Sequence, residues 1–219
     1  NGGELQPLKK THERYADVFA KLGYPIDLTK HQFPVRKVIS AKTQEVIGLS
    51  FKKFIGVAPF AAHRGKMYPL QLIKQVIAQL SNSGDYAVFL FGGGATETAK
   101  LDKLASDFKG VTNMAGKLSF SQELQLISNL DVMLAMDSGN GHLAALYDIE
   151  VLTIWGVTHP FLGFAPFNQP NENQLLADRT KYPLVPTSVY GNTYPNGYEK
   201  AIETISPSAI VEKVLSVLT

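Results

Sequence analysis

From residue 54 onward, short apolar runs alternate with amphipathic stretches, and this alternation limits the possible folds more than any other feature of the sequence. The apolar runs predict strands: FIGVAP (54–59), YAVFLFG (86–92), the weaker VTNM (111–114), DVMLAM (131–136) and VLTIWG (151–156). The stretches between them predict helices: 68–80, 96–108, 122–130 and 141–147. Strands that alternate with helices build βαβ units around a parallel sheet. The sequence therefore predicts the α/β class, with a Rossmann-like doubly wound parallel sheet.

The two ends of the chain are less regular. Residues 9–22 have an apolar helical face, and residues 24–50 predict a connector with one pair of strands. After 157 the chain is rich in proline, asparagine and tyrosine, with an edge strand expected at 173–178. Ser206 and Pro207 then provide the cap and first turn of a last helix. We therefore expect an amino-terminal helix and connector over 1–50, and one domain over 51–219.

Composition excludes several classes of function. The 219 residues include no cysteine, and no two of the five histidines are four residues apart, so a metal site has no support. A net charge of +2 with scattered lysines argues against binding nucleic acid. Neither a signal peptide nor an apolar run of the ~20 residues that span a membrane is present, which favours a soluble cytoplasmic protein. Since the sequence begins at Asn1 without a methionine, we expect a piece of a longer chain.

Strand order selects the loops where a ligand is expected. In the common order 3-2-1-4-5-6, the strand at 54–59 lies beside the strand at 131–136. Ligands of such sheets bind at the carboxyl ends of the strands, where the order reverses. The rule points to two loops, one after Pro59 and one after Met136.

The loop after Met136 reads DSGNGHLA and leads from a strand into a helix. The amides of Ser138 to Gly141, Asn140 included, lack intrahelical partners there, and Gly139 and Gly141 would let a phosphate approach the backbone. His142 could reach an anion or a sugar hydroxyl. The alternative interpretation is structural: Asp137 only caps the helix, the glycines only turn the chain, and His142 only packs.

The neighbouring loops offer charges that have the same two interpretations. Lys66, with Arg64, can meet a phosphate, although lysines are most often solvated. Glu97 opens a helix, where a carboxylate either caps the backbone or accepts hydrogen bonds from a ribose. RGKM does not match a P-loop, GGGATE lacks the third glycine of the dinucleotide fingerprint, and no G-x-S-x-G motif surrounds Ser138.

Together these loops resemble the carboxyl-terminal domain of glycosyltransferase family 9, the heptosyltransferases, over residues 54–219. The resemblance is carried by DSGNGHLAALYDIEVLTIWGVTHP and by LFGGGATE. It implies half of a GT-B fold, the half that holds the nucleotide-sugar. In that half Asp137, Ser138, Gly139 and His142 would surround the diphosphate and sugar. Lys66 would neutralise the phosphates, Glu97 would hold the ribose, and Thr158 would lie in the turn that follows.

The resemblance also implies a reaction. A sugar would pass with inversion from a nucleotide diphosphate-sugar, ADP-heptose being expected, to a lipopolysaccharide core acceptor, with no metal or other cofactor. The general base is expected in an amino-terminal domain that this chain mostly lacks, so the chain alone would bind donor and catalyse little. Contact with the cytoplasmic face of the inner membrane would come through the acceptor.

Two departures and two alternatives accompany the resemblance. Ala61 and Ala62 stand where relatives often carry a hydroxyl, and Tyr68 stands where a tryptophan is usual, so donor contacts can differ. A different GT-B nucleotide-sugar enzyme, such as an epimerase, and a non-catalytic nucleotide-binding module both stay open.

Overall fold

The structure, a computed structural model, describes residues 5–48 and 53–219, and its centre is a six-stranded parallel sheet. The strands lie in the order β3-β2-β1-β4-β5-β6. They are β1 (Lys53–Ala58), β2 (Tyr86–Leu90), β3 (Val111–Asn113), β4 (Val132–Met136), β5 (Glu150–Trp155) and β6 (Gln174–Leu176). Every neighbouring pair is parallel. This confirms the predicted order, with β1 beside β4 at the point of reversal.

Helices cover both faces of the sheet. They are α1 (Thr11–Lys21), α2 (Ala41–Ile47), α3 (Leu70–Ser81), α4 (Gly94–Ala105), α5 (Phe120–Ile127), α6 (Gly139–Ala145) and α7 (Pro207–Leu218). Buried side chains of α3, α4 and α7 pack on one face, and those of α2, α5 and α6 pack on the other. Because both faces are covered, the strands are apolar along nearly their whole length, as the sequence shows.

Local signals set several helix ends. The Ser119 hydroxyl accepts a hydrogen bond from the amide of Gln122, whose side chain accepts one from the Ser119 amide, a capping box that starts α5. The Ser206 hydroxyl caps α7 by accepting a hydrogen bond from the amide of Ala209, with Pro207 in the first turn. The predicted start of the last helix is confirmed.

Residues 24–48 contain no strand, so the strand pair predicted for 24–50 is wrong over this range. Residues 49 and 50 lie outside the described part. A 3₁₀ turn at Leu28–Lys30 and helix α2 occupy this stretch instead. Ser40 caps α2, and its own amide donates to Gln125 of α5 at 3.1 Å. The amide of Lys37 likewise donates to the Ser128 hydroxyl. Because α5 supplies these partners, the backbone here needs no second strand.

Helix α1 lies beside the loop that follows β5. The amides of Leu8 and Thr11 donate to the carbonyl oxygens of Phe161 and Gly163, each at 2.8 Å. None of the α1 residues is buried. The amino-terminal segment is therefore attached at the carboxyl edge of the sheet, where the ligand is expected. In the described ranges, no helix has the length and apolar character needed to cross a membrane.

Candidate functional site

Three loops meet at the carboxyl edge of β1, β4 and β5 around one carboxylate. Asp137, directly after β4, has its Oδ2 atom 2.8 Å from the Nζ atom of Lys66, in the loop after β1. The Thr158 hydroxyl, after β5, donates to the same oxygen at 3.0 Å. The two charged side chains are only 13% and 8% exposed, and Thr158 is fully buried. An ion pair shielded from water in this way interacts more strongly than one on the surface.

Two glycines allow the loops to come this close. The amide of Val157 donates to the carbonyl oxygen of Gly65 at 3.1 Å. A Cβ atom on Gly156 would overlap that same oxygen, and a Cβ on Gly65 would lie 2.6 Å from a methyl group of Val157. The loop that carries Lys66 can therefore rest directly on the loop that carries Thr158.

The first turn of α6 is not capped by a side chain. Ser138 is the N-cap residue, yet its side chain accepts no hydrogen bond from the helix. Its hydroxyl is buried and has no hydrogen-bond partner within the described ranges. The Asp137 carboxylate binds Lys66 and Thr158 instead. The interpretation of Asp137 as only a cap is therefore not what the structure shows, and the N-cap side chain leaves the first amides of α6 uncapped.

The two glycines of α6 have different surroundings. A Cβ atom on Gly139 would meet no atom within 4 Å, so the space over this residue is open. A Cβ on Gly141 would lie 3.3 Å from Val151 and 3.4 Å from Ala135, because Gly141 is buried where α6 packs on the sheet. Only Gly139 has the clear approach predicted for both, and Asn140 between them is half-buried. Their roles in binding phosphate stay predictions.

His142 follows on the same helix and is uncharged at neutral pH. The pKa of its imidazole lies below the ordinary value of 6.5, chiefly because surrounding protein atoms displace water. The charge of Asp137 raises the pKa, and that of Lys66 lowers it. A neutral imidazole has one nitrogen that donates and one that accepts, which suits a hydroxyl better than a phosphate.

Glu97 lies at the same edge of the sheet, in the first turn of α4. Its carboxylate accepts a hydrogen bond from the amide of Gly93 at 2.8 Å. A Cβ atom on Gly92 would lie 3.1 Å from the same carboxylate. Glu97 thus stabilises its own loop, as the capping interpretation has it, and its contact with a ribose stays a prediction.

A comparison with protein families identifies the chain. The model of glycosyltransferase family 9 (heptosyltransferase) matches residues 6–193. The chain belongs to glycosyltransferase family 9. The match includes residues 6–53, which the sequence resemblance over 54–219 left out.

Individual relatives support the family 9 assignment. Lipooligosaccharide heptosyltransferase 2 of Campylobacter jejuni is 24% identical over 172 residues, which cover 76% of this chain and 51% of the relative. The fold is similar to that of E. coli ADP-heptose LPS heptosyltransferase II, with a TM-score of 0.67 at 19% identity over 98% of this chain and 62% of the other. An E. coli heptosyltransferase solved with ADP gives a TM-score of 0.65 at 19% identity, over 98% and 59%. The chain spans about half the length of the curated relative.

One segment of this family 9 chain makes contacts at the site that the sequence did not predict. The tyrosine-rich stretch 182–198 crosses over Lys66, and the amide of Thr187 donates to the carbonyl oxygen of Val157 at 2.9 Å. Gly191 has a φ of +72°, and a Cβ atom there would lie 2.7 Å from the Lys66 side chain and 3.0 Å from that of Thr158. Gly191 therefore helps to fix the lysine. A glycine among tyrosines is typical of a turn, but nothing local indicates which side chain the turn covers.

Tyr68, noted as a departure from the family pattern, is a structural residue here. Its hydroxyl donates to the carbonyl oxygen of Ile205, next to the start of α7. Burial raises the pKa of this phenol to about 12, and Glu203 adds to the rise. The side chain thus joins the start of α3 to that of α7.

Proposed function

We propose that this chain is the donor-binding part of a heptosyltransferase, and that it holds the diphosphate of a nucleotide-sugar between Lys66 and the first turn of α6. The observation that carries the proposal is the meeting of Lys66, Asp137 and Thr158 at the reversal of strand order, beside an unpaired Ser138 hydroxyl. Doubly wound sheets bind their ligands at this place.

The groups at this point suit a diphosphate. Lys66 supplies a cation that is already positioned by Asp137. Ser138 supplies a buried hydroxyl that has no partner among the described residues, and the uncapped turn supplies amides that point away from the helix. The open space over Gly139 leaves room for phosphate oxygens. Because Asp137 is negative, the ligand would approach from the Lys66 and Ser138 side.

The proposed reaction is inverting transfer. An acceptor hydroxyl attacks the anomeric carbon of the donor sugar from the face opposite the diphosphate, and the bond from that carbon to the phosphate oxygen breaks. The bonding electrons leave with the diphosphate, and Lys66 and the α6 amides stabilise the added negative charge. The proton of the acceptor goes to a base expected outside this chain. With these donors present, no metal is required by the proposal.

The donor and acceptor are proposed from the relatives. One relative was solved with ADP, and another is an ADP-heptose LPS heptosyltransferase. We therefore propose ADP-heptose as the donor, a lipopolysaccharide core as the acceptor, and the cytoplasm, at the face of the inner membrane, as the place of reaction.

Calorimetric titration with ADP tests the site. The wild-type chain is expected to bind ADP, and Lys66→Met to bind it at least roughly tenfold more weakly, because a charge-assisted hydrogen bond is lost. The matched control is Lys74→Met, which removes a lysine paired with Asp107 elsewhere on the surface and should leave the affinity unchanged. Equal affinities for the wild type and Lys66→Met, or no binding by the wild type, would remove the proposal.

Heptose transfer needs a second assay, on the natural gene product that contains this chain. It is incubated with ADP-heptose and a lipopolysaccharide that lacks the heptose, and the product is followed by mass spectrometry. Transfer supports the proposed reaction. ADP binding without transfer would favour an epimerase or a non-catalytic module.

A further inference from the structure

A cavity lies between helix α6 and the amino-terminal helix. It measures about 240 Å³ and lies between α1, the first turn of α6 and the loop after β5. The side chains that line it include Thr11, His12, Tyr15, His142, Phe164 and Phe167. Two of its walls therefore come from parts of the chain that are far apart in sequence.

His142 connects this cavity to the proposed diphosphate site. The imidazole lines the cavity, and His142 stands in the first turn of α6, the turn that is proposed to bind the diphosphate. The charges of Asp137 and Lys66 both act on its pKa, in agreement with this position. On the other side, His142 affects the pKa of His12. A group attached to a phosphate beside Lys66 would therefore enter this cavity past His142.

The chemistry of the lining suits a neutral, hydroxyl-rich ring. Of the described residues that line the cavity, none is a carboxylate, lysine or arginine. The pKa of His12 is lowered, first by burial and then by Lys10, so both histidines are neutral near pH 7 and can each donate and accept. Phe164 and Phe167 add apolar surface. The cavity is smaller than the roughly 300 Å³ at which pockets for drug-sized ligands begin, so a single sugar ring fits it better than a nucleotide.

Another cavity, beside the loop that carries Lys66, differs in both size and charge. It measures about 320 Å³, and charged groups line it, among them Arg64, Lys100 and Glu203. A neutral sugar would have to compete there with ion pairing and hydration of these charges. The contrast favours the α1 side for the sugar.

Helix α1 is held in place for such a role. The Thr11 amide and hydroxyl both donate to the carbonyl oxygen of Gly163, at 2.8 and 2.9 Å. The ring of His12 meets Phe167 edge-on, with 5.0 Å between ring centres. Tyr15, one turn further along α1, is exposed at the rim.

We propose that His12 and Tyr15 of α1 bind the sugar of the nucleotide-sugar donor, so that the amino-terminal helix completes the donor site. The ligand class is a neutral monosaccharide carried on a nucleoside diphosphate. This inference rests on the proposed function, because the diphosphate at Lys66 fixes where the sugar begins.

Titrations with ADP and with ADP-heptose separate the sugar from the nucleotide. For His12→Ala and Tyr15→Ala, the affinity for ADP-heptose should fall roughly fivefold or more, while the affinity for ADP should stay unchanged. Because no residue of α1 is buried, neither variant should unfold the chain, and thermal melts verify this. Tyr24→Ala is the matched control, since Tyr24 is 72% exposed and does not line the cavity; it should change neither affinity.

The remaining outcomes each overturn a different statement. Unchanged ADP-heptose affinity in both α1 variants would place the sugar elsewhere and leave the diphosphate site intact. Equal losses for ADP and ADP-heptose would mean that α1 acts on the whole site and does not recognise the sugar. If the wild type binds no ADP, the proposed function fails first, and the sugar site with it.

Discussion

Two loops at the same edge of the sheet, the one after β4 and the one after β2, both begin a helix and both carry an acidic residue. In the loop after β2, Glu97 accepts a hydrogen bond from Gly93, four residues earlier. In the loop after β4, Asp137 is bound by Lys66 and Thr158, which are 71 residues before it and 21 after it by their numbers. The first contact only stabilises its own loop. The second gathers three loops around a buried charge.

The two acidic residues also differ in the free energy needed to remove them from water. Removing Lys66 and Asp137 from water costs free energy that their attraction only partly returns, and apolar residues of similar volume often stabilise a fold as well or better. Glu97 is only half-buried and therefore bears a smaller cost. A costly ion pair at the point where sheets of this kind bind ligands is therefore better explained by binding than by stability.

The largest effect is expected from Asp137→Asn. The change leaves the Lys66 charge buried without its partner, and the free energy of unfolding should fall by about 4 kcal/mol. Glu97→Gln, the matched change in the other loop, removes only a charge at a helix start and should cost about 1 kcal/mol or less. Urea unfolding of both variants measures the difference. Equal losses would mean that the two loops do not differ as described.

The next effect concerns His159, directly after Thr158 in the loop that follows β5. Burial lowers the pKa of His159 from 6.5 to about 4, and Arg179 adds to the lowering. Between pH 6.5 and 4 the unfolded chain therefore binds a proton at this histidine that the folded chain does not bind. The free energy of unfolding falls as the pH drops through this range, by about 3 kcal/mol from this group.

His159→Asn provides the comparison for that pH dependence. The His159 ring accepts a hydrogen bond from the amide of Phe161, and asparagine can accept the same bond without titrating. Unfolding by urea at pH 4 to 7 should show a shallower slope for the variant. Parallel curves for the two proteins would contradict the lowered pKa.

Two glycines near the site give a smaller and more specific effect. Gly191 and Gly197 both have positive φ, but a Cβ atom meets Lys66 only at Gly191, while at Gly197 it meets nothing within 4 Å. Both changes to alanine should cost about 1 to 2 kcal/mol of stability through backbone strain. Gly191→Ala should cost more than Gly197→Ala, because its Cβ atom also overlaps the side chain of Lys66. Only Gly191→Ala should also weaken ADP binding, by calorimetry. A loss of ADP affinity in Gly197→Ala as well would show that strain alone is responsible.

The smallest effect is expected from two buried threonines, one within β5 and one in the loop that follows it. Thr158 donates to Asp137, whereas the hydroxyl of Thr153 in β5 has no partner within the described ranges. Thr158→Val should lower the free energy of unfolding by about 1 kcal/mol, and Thr153→Val should leave it unchanged or raise it. Thermal or urea melts distinguish the two. A larger loss of stability in Thr153→Val than in Thr158→Val would contradict the statement that the Thr158 hydroxyl is the one that stabilises the fold.

Much of this arrangement could be predicted from the sequence, because apolar periodicity identifies the strands and the commonest order of doubly wound sheets supplies their arrangement. That order alone places the loop of Lys66 beside the loop of Asp137, and the structure brings the two side chains together. The capping signal at Ser206 is local, and the start of the last helix that it predicts is confirmed.

What the sequence did not predict depends on contacts between distant residues. Helix α2 replaces the expected strands because α5 supplies its hydrogen-bond partners. The place of Gly191 over Lys66 and that of His12 beside His142 follow from how loops fold back on the sheet. No periodicity or short motif encodes such contacts, so these features emerge only in three dimensions.

A crystal structure of the chain with bound ADP would show the proposed diphosphate contacts themselves. We expect a phosphate oxygen within about 3.2 Å of the Lys66 Nζ atom, and another within reach of the Ser138 hydroxyl and the first amides of α6. A diphosphate bound elsewhere, such as in the charged cavity beside Arg64 and Lys100, with the Lys66–Asp137 pair unchanged, would contradict it.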